Sequence, residues 1–175
     1  MKRLIGVLGV AAVVVIVALT VASTRSTAAT ATPRCKTGAL EVWLGIGTGG
    51  SGAGSTTYPL EFTNLSSQRC HLFGFPGVSA QRAGHQVGDA ASRDHAVAAT
   101  TVTLAPRATA HAQLRFVNTS VISGCKPVTA TSLSVFPPGA VTAADVPYRF
   151  KACSAAGHEF LSVQVVQPRV GVPGH

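Results

Sequence analysis

The sequence predicts an all-β fold, a two-sheet immunoglobulin-like β-sandwich that follows an N-terminal signal or anchor helix. Three observations support this prediction. Apolar and polar residues alternate in several short stretches, turn-forming glycine and proline residues separate these stretches, and no segment after residue 32 keeps a helical repeat. About seven short strands in a chain of this length suit two packed sheets, with a small barrel as the alternative.

The first residues form a targeting segment. Lys2 and Arg3 precede the uncharged stretch from Leu4 to Ala22. This stretch fits both a long cleavable signal peptide, which small residues at cleavage-site spacing favour, and a membrane anchor, which its length favours. We therefore assign residues 1–31 to a signal peptide or an N-terminal membrane anchor with its linker. In both cases the domain faces outward, because the two cations hold the N-terminus on the cytoplasmic side.

The remainder is long enough for one core, so we expect an all-β domain over residues 32–169 and a flexible tail over 170–175. The chain is basic, with a formal net charge of +8. Such an excess suits anionic cell-envelope polymers as partners, although a dispersed excess is also typical of a surface that is merely solvated. We expect no nucleic-acid partner, and a membrane contact only through residues 4–22 if they stay attached. The oligomeric state is left open.

The alternating stretches predict the strands in order. The four clearest apolar stripes are Leu40 to Ile46, Tyr58 to Phe62, Ala110 to Phe116 and Tyr148 to Ala152. Shorter β-branched runs lie at Val102 to Leu104, Leu133 to Val135 and Leu161 to Val165. In each clear stripe the alternate residues are expected to face water.

The four cysteines, Cys35, Cys70, Cys125 and Cys153, are an even number in a chain with an export signal, which predicts two disulfides. None of them has the close spacing that zinc sites favour. Four cysteines allow three pairings. We prefer Cys35 with Cys70 and Cys125 with Cys153, because strands that follow one another in the chain tend to be neighbours.

Two short motifs resemble active-site sequences but are interpreted as structural. The segment from Gly45 to Gly50 has the glycine spacing of a dinucleotide-binding loop, yet it leads into a strand rather than a helix, so we expect a flexible connection. Residues 92–95 contain serine, aspartate and histidine, but neighbours in an extended chain cannot bond in series. Histidines and acids are dispersed, so we expect no catalytic, metal-binding or cofactor-binding residue.

One surface is a candidate binding site. Arg115 lies at an outward position of its predicted strand, as Arg149 and Lys151 do in theirs. If the two strands adjoin, these three cations form a basic face for anionic envelope material, together with His111 and Gln113. Whether they adjoin is not given by the sequence.

A longer pattern resembles a known family. It consists of Thr63-Asn64-Leu65-Ser66, Cys70, the turn Gly74-Phe75-Pro76-Gly77-Val78, a hairpin over 84–93, the strand Val102-Thr103-Leu104-Ala105-Pro106, and Cys125 and Cys153. This pattern resembles a family of uncharacterised, disulfide-bonded β-domains in secreted or membrane-anchored actinobacterial proteins. Arg107 and Ala108 follow Pro106 where that pattern has glycine. The resemblance implies an exported all-β domain and no particular chemistry.

Three functional classes remain. The leading one is an exported, non-catalytic cell-envelope or extracellular module of unknown ligand. The alternatives are the outer domain of a membrane-anchored sensing or adhesion protein and, with least support, a secreted hydrolytic enzyme. No catalytic constellation supports the enzyme, and the sensing protein requires that residues 4–22 stay attached.

Overall fold

The computed structural model describes residues 31–171, and over that range its regular elements are strands and short 3-10 turns. No helix in these residues is long and apolar enough to cross a membrane. The predicted signal or anchor segment, Leu4 to Ala22, lies outside the described residues, as does the end of the predicted tail, residues 172–175.

The strands of the described part are, in chain order, β1 (Leu40–Leu44), β2 (Gly50–Gly52), β3 (Ser55–Asn64), β4 (Cys70–Phe73), β5 (Gly77–Arg82), β6 (His85–Val87), β7 (Ser92–Arg93), β8 (Thr101–Leu104), β9 (Thr109–Val117), β10 (Pro127–Phe136), β11 (Ala144–Cys153), β12 (Leu161–Val163) and β13 (Gln167–Pro168). The 3-10 turns are Thr37–Ala39, Ile46–Thr48 and Thr119–Val121.

The strands form three sheets. The large sheet has the order β1-β3-β9-β12-β7, with β2 also on β3 and β13 also on β9. The second sheet has the order β11-β10-β5-β6, and β4 pairs with β8 in a small third sheet. The all-β prediction is confirmed, and the third sheet is an addition that the periodicity did not indicate.

The core lies between the sheets and is made by the inward positions of the predicted stripes. Leu60, Phe62 and Leu114 of the large sheet are buried, and so are Leu133 and Val135 of the second sheet. Burial alternates cleanly along β9, where every second residue from Ala110 to Phe116 is buried. This period of two is what packs one face of each strand against the other sheet.

One predicted wet face is covered. Pro59 and Glu61 occupy the outward positions of β3, yet both are buried. The segment after β13 lies over them: the Gly171 N–H donates to Glu61 Oε1 at 2.8 Å, and a Cβ on Gly171 would overlap Pro59. Alternation within β3 reports two faces but cannot report that a later segment returns to cover one of them. Gly171, within the predicted tail, is therefore buried.

Two disulfides tie the described residues together. Cys35 bonds to Cys70, with Cα atoms 4.8 Å apart, and Cys125 bonds to Cys153, with Cα atoms 5.2 Å apart. The first joins the chain before β1 to β4, and the second joins the chain before β10 to the end of β11. This is the local pairing that the cysteine order favours. Disulfides of this kind suggest an oxidising, extracytoplasmic environment.

Candidate functional site

The three candidate cations lie on two different sheets. Arg115 is exposed on β9 of the large sheet, whereas Arg149 and Lys151 are exposed on β11 of the second sheet. The intervening residues Phe116 and Phe150 face each other between the sheets, with ring centroids 5.0 Å apart. Because successive side chains point to opposite faces, Arg115 and the β11 cations lie on opposite outer faces. The structure therefore does not bring them together into one basic face.

The inward neighbours of these cations form an aromatic cluster. The ring centroid of Phe116 lies 5.0 Å from Phe150, 5.3 Å from Tyr148 and 5.8 Å from Tyr58. All three pairs meet edge to face, which is a favoured geometry for aromatic rings. Phe116 is buried, while the other three rings are half-buried. The cluster therefore closes the core and also presents aromatic surface to the solvent.

An open cleft of about 340 Å³ lies over this cluster. We call it the aromatic cleft. Its lining consists of the four rings and of Ser51, Gly52, Gly54, Ser55, Thr56, Val117, Asn118, Thr119 and Lys151. Burial and the neighbouring Tyr58 hydroxyl raise the pKa of Tyr148 well above its ordinary value, so this tyrosine stays a neutral hydrogen-bonding group. The cleft combines aromatic surface with hydroxyls and one cation.

The glycine-rich segment from Gly45 to Gly54 builds one wall of the aromatic cleft through its last residues. Instead of a featureless connection, β2 pairs with the start of β3, and Gly54 turns between them at a φ of 75°. Gly49 is needed for packing, because a Cβ there would overlap the ring of Tyr58. The segment contains no helix that could hold a phosphate in the manner of a dinucleotide-binding loop.

The serine, aspartate and histidine of residues 92–95 have separate partners. Ser92 Oγ donates to Glu159 Oε1 at 2.7 Å, and the Gln164 side chain donates to Asp94 Oδ2 at 2.9 Å. The bond from Gln164, with a second from the Ala96 N–H, lowers the pKa of the Asp94 carboxyl. The His95 ring packs at 4.8 Å on the half-buried Phe75. The three side chains do not form a hydrogen-bonded series.

No group of three metal-ligating side chains occurs within residues 31–171. The residues that gather at one place are instead the aromatic ones, which sequence reasoning assigned to the core alone. A signal for the cleft was present: the chain has two tyrosines, Tyr58 and Tyr148, and both lie at inward positions. An inward tyrosine needs a partner or water for its hydroxyl, which indicates an open edge of the core.

The comparisons with known proteins identify a family but not an activity. No curated protein and no solved structure matches the chain. A family model does match residues 35–171, which include both disulfides and the whole aromatic cleft. The chain therefore belongs to the family described as domain of unknown function (DUF4232).

Proposed function

We propose that the protein is an exported, non-catalytic module of the cell envelope, and that it binds an envelope glycan in the aromatic cleft. The observation that carries this proposal is the half-buried aromatic cluster of Tyr58, Tyr148 and Phe150 at the floor of an open cleft. The two disulfides and the N-terminal targeting segment support export.

The lining of the cleft suits a sugar more than a hydrophobic ligand. The C–H face of a sugar ring packs on aromatic rings, while its hydroxyls exchange hydrogen bonds with polar groups placed around them. Ser51, Ser55 and Asn118 supply such groups at the rim, and Lys151 adds one cation. A glycan that carries anionic substituents fits this combination best.

The same lining supports binding rather than catalysis. The described residues around the cleft include no aspartate, glutamate, histidine or cysteine. General acid–base hydrolysis needs a pair of titratable groups near the bond that breaks. Tyr148 is no substitute, because the raised pKa keeps its proton in place at neutral pH.

Binding to purified glycan from the native envelope tests the proposal. Tyr148→Leu removes a ring and its hydroxyl but keeps an apolar side chain, so we expect affinity to fall by about tenfold or more. The matched control is Phe136→Leu, which changes an exposed aromatic residue of β10 outside the cleft lining and should bind like the wild type. Calorimetric titration measures both, and equal affinity of Tyr148→Leu and wild type would refute the proposed site.

A second set of variants separates the cleft from the outer cations. Joint replacement of Arg115, Arg149 and Lys151 by glutamine removes positive charge on both outer faces and at the cleft rim. If the aromatic cleft is the site, this triple variant keeps most of its affinity and loses mainly the salt-dependent part. Glycan binding that disappears in the triple variant but survives in Tyr148→Leu would instead show that the cations, and not the aromatic cleft, bind the glycan.

The nineteen-residue apolar stretch from Leu4 to Ala22 favours a second candidate, the outer domain of a membrane-anchored sensing or adhesion protein. N-terminal sequencing of the natively exported protein distinguishes the two. A new N-terminus between residues 22 and 32 indicates a secreted module, and an intact Lys2-Arg3 start indicates the anchored form.

A further inference from the structure

We propose a second binding site, for a phosphate group, in the cleft between Arg107 and Arg169. This cleft has a volume of about 440 Å³ and is lined by both arginines; we call it the arginine cleft. It does not depend on the aromatic cleft, because the two lie at opposite ends of β9. Thr109 begins β9 at the arginine cleft and Phe116 lies near its other end, roughly 20 Å away at about 3.3 Å per residue.

Both arginines have an unusual backbone conformation. Arg107 has a φ of 66° and Arg169 a φ of 73°. Side-chain-bearing residues adopt this left-handed region rarely, because Cβ crowds the backbone there, and glycine adopts it freely. The third such residue in the described part, Ala83, lies in the two-residue turn between β5 and β6. Arg107 lies in a similar turn, which the Ala108 N–H closes by donating to the Ala105 carbonyl oxygen at 3.0 Å, so the turn accounts for its φ. What distinguishes the two arginines from Ala83 is that they share one cleft.

A buried asparagine fixes the turn that carries Arg107. Asn64 is fully buried, and its Nδ2 donates to the carbonyl oxygens of Leu104 at 3.2 Å and Ala105 at 3.3 Å. The Arg107 N–H in turn donates to the Asn64 carbonyl oxygen at 2.8 Å. The turn is thus held from the core side, and Arg107 is exposed at its outer side.

The segment that carries Arg169 is held in a similar way. Pro168 is paired with Ala110 of β9, and His111 Nδ1 donates to the Arg169 carbonyl oxygen at 3.0 Å. Two residues later, Gly171 is bonded to the buried Glu61. Each arginine therefore extends from a backbone that is fixed to buried neighbours, which reduces the entropy lost when a ligand is bound.

The chemistry of the arginine cleft matches an oxyanion. Its described lining contains two guanidinium groups and no acid, with threonine side chains from β8 and β9 beside them. Arginine stays charged at all relevant pH values, and its planar fork donates two parallel hydrogen bonds to phosphate oxygens. Two guanidinium groups in one cleft thus match one phosphate group, either free or part of a lipid headgroup.

Inorganic phosphate is the first probe. Titration of the exported protein, followed by NMR of the arginine Nε–H and backbone amide signals, should give saturable shifts at Arg107 and Arg169. Arg107→Gly and Arg169→Gly remove a guanidinium while keeping a residue that accepts positive φ, so the fold should survive. We expect each variant to weaken phosphate binding by about tenfold or more. Ala83→Gly and Arg115→Gln are the controls and should bind like the wild type.

A second arm identifies the source of the phosphate. Vesicles of phosphatidylcholine with and without phosphatidylglycerol are sedimented with each protein. Retention on the phosphatidylglycerol vesicles that is lost in Arg107→Gly indicates a lipid headgroup, whereas binding of phosphate without vesicle retention indicates a soluble or polymer-borne group. The proposal is overturned if phosphate gives no saturable shift, if chloride gives the same shift at the same ionic strength, or if the glycine variants bind phosphate as well as the wild type.

Discussion

Strand β9 runs between two clefts whose walls are made in different ways. At the end near Phe116, the aromatic cleft is lined by inward side chains of paired strands, and their spacing follows the period of two. At the end near Thr109, the arginine cleft is formed by a turn and by the segment after β13, both with residues at positive φ. The first cleft is an opening of the core, whereas the second is assembled on polar supports.

The polar supports of the arginine cleft are two buried side chains at outward or terminal positions of β3. Asn64 binds the turn before β9, and Glu61 binds the segment after β13. Both are fully buried, although asparagine and glutamate are usually exposed. A buried polar side chain stabilises a fold only while it is hydrogen-bonded. Because these two side chains support only the arginine cleft, changes to them should affect that end of β9 far more than the end at the aromatic cleft.

The largest expected effect is that of Asn64→Ala. The substitution leaves the carbonyl oxygens of Gln68, Leu104 and Ala105 without their Asn64 donor, and we expect the free energy of unfolding to fall by about 3–4 kcal/mol. Asn118→Ala is the matched control, because Asn118 is exposed and accepts one bond from the Ser120 N–H. It should cost about 1 kcal/mol. Urea unfolding measures both losses. Equal losses would show that Asn64 stabilises the fold no more than the exposed Asn118 does.

The next effect is a pH dependence that comes from Glu61. Burial raises the pKa of its carboxyl to about 7, from an ordinary value of 4.5. The folded state therefore holds the proton more tightly than the unfolded state, so the contribution of this group is fully present below pH 4.5 and is lost as the pH rises through 7. We expect the free energy of unfolding to decline by about 3 kcal/mol across this window.

Glu61→Gln should flatten that decline, because the amide keeps an acceptor for the Gly171 N–H and cannot ionise. Glu41→Gln on β1 is the control, since Glu41 is exposed and its replacement should leave the pH profile unchanged. Unfolding curves recorded at several pH values between 4 and 8 decide the matter. A wild-type profile that rises with pH in this range would contradict the assignment to Glu61.

The two ends of β9 also differ in how far they could be predicted. The inward positions Phe116, Tyr148 and Phe150 follow from alternation, because burial of one face imposes a period of two on each strand. Alternation could not place β9 and β11 in different sheets, so the outer cations Arg115, Arg149 and Lys151 could be assigned to one face that the structure does not contain. Pairing between distant strands depends on the whole chain and leaves no local signal.

The arginine cleft was even harder to predict from the sequence. The sequence showed Arg107 at a position where glycine was expected, but the hydrogen bonds that fix its turn to the core come from Asn64, which precedes Arg107 by more than 40 residues. Likewise, Glu61 at an alternating polar position predicts exposure, and its burial depends on the return of the chain near Gly171. Long-range cover of an outer face cannot be derived from the residues of that face alone.

A smaller effect is expected in the wall of the aromatic cleft. Gly49→Ala places a methyl group against the Tyr58 ring, which must move, so we expect a loss of about 2 kcal/mol in the free energy of unfolding and weaker glycan binding. Gly47→Ala is the matched control, because a Cβ there meets nothing within 4 Å. Near-UV circular dichroism reports the aromatic rings directly. Unchanged spectra and stability in Gly49→Ala would show that the glycine-rich segment accommodates the added methyl group without displacing Tyr58.

The smallest expected change is a gain. Arg107→Gly relieves a backbone conformation that disfavours residues with a Cβ, and the free energy of unfolding should rise by about 1 kcal/mol, partly offset by the greater freedom of glycine in the unfolded chain. Ala83→Gly is matched in backbone conformation and should also gain stability, but only Arg107→Gly should lose phosphate binding. Thermal unfolding with and without phosphate measures both properties. A loss of stability in Arg107→Gly without phosphate would mean that the arginine side chain stabilises its own turn, and its presence at a position that favours glycine would then need no ligand at this end of β9.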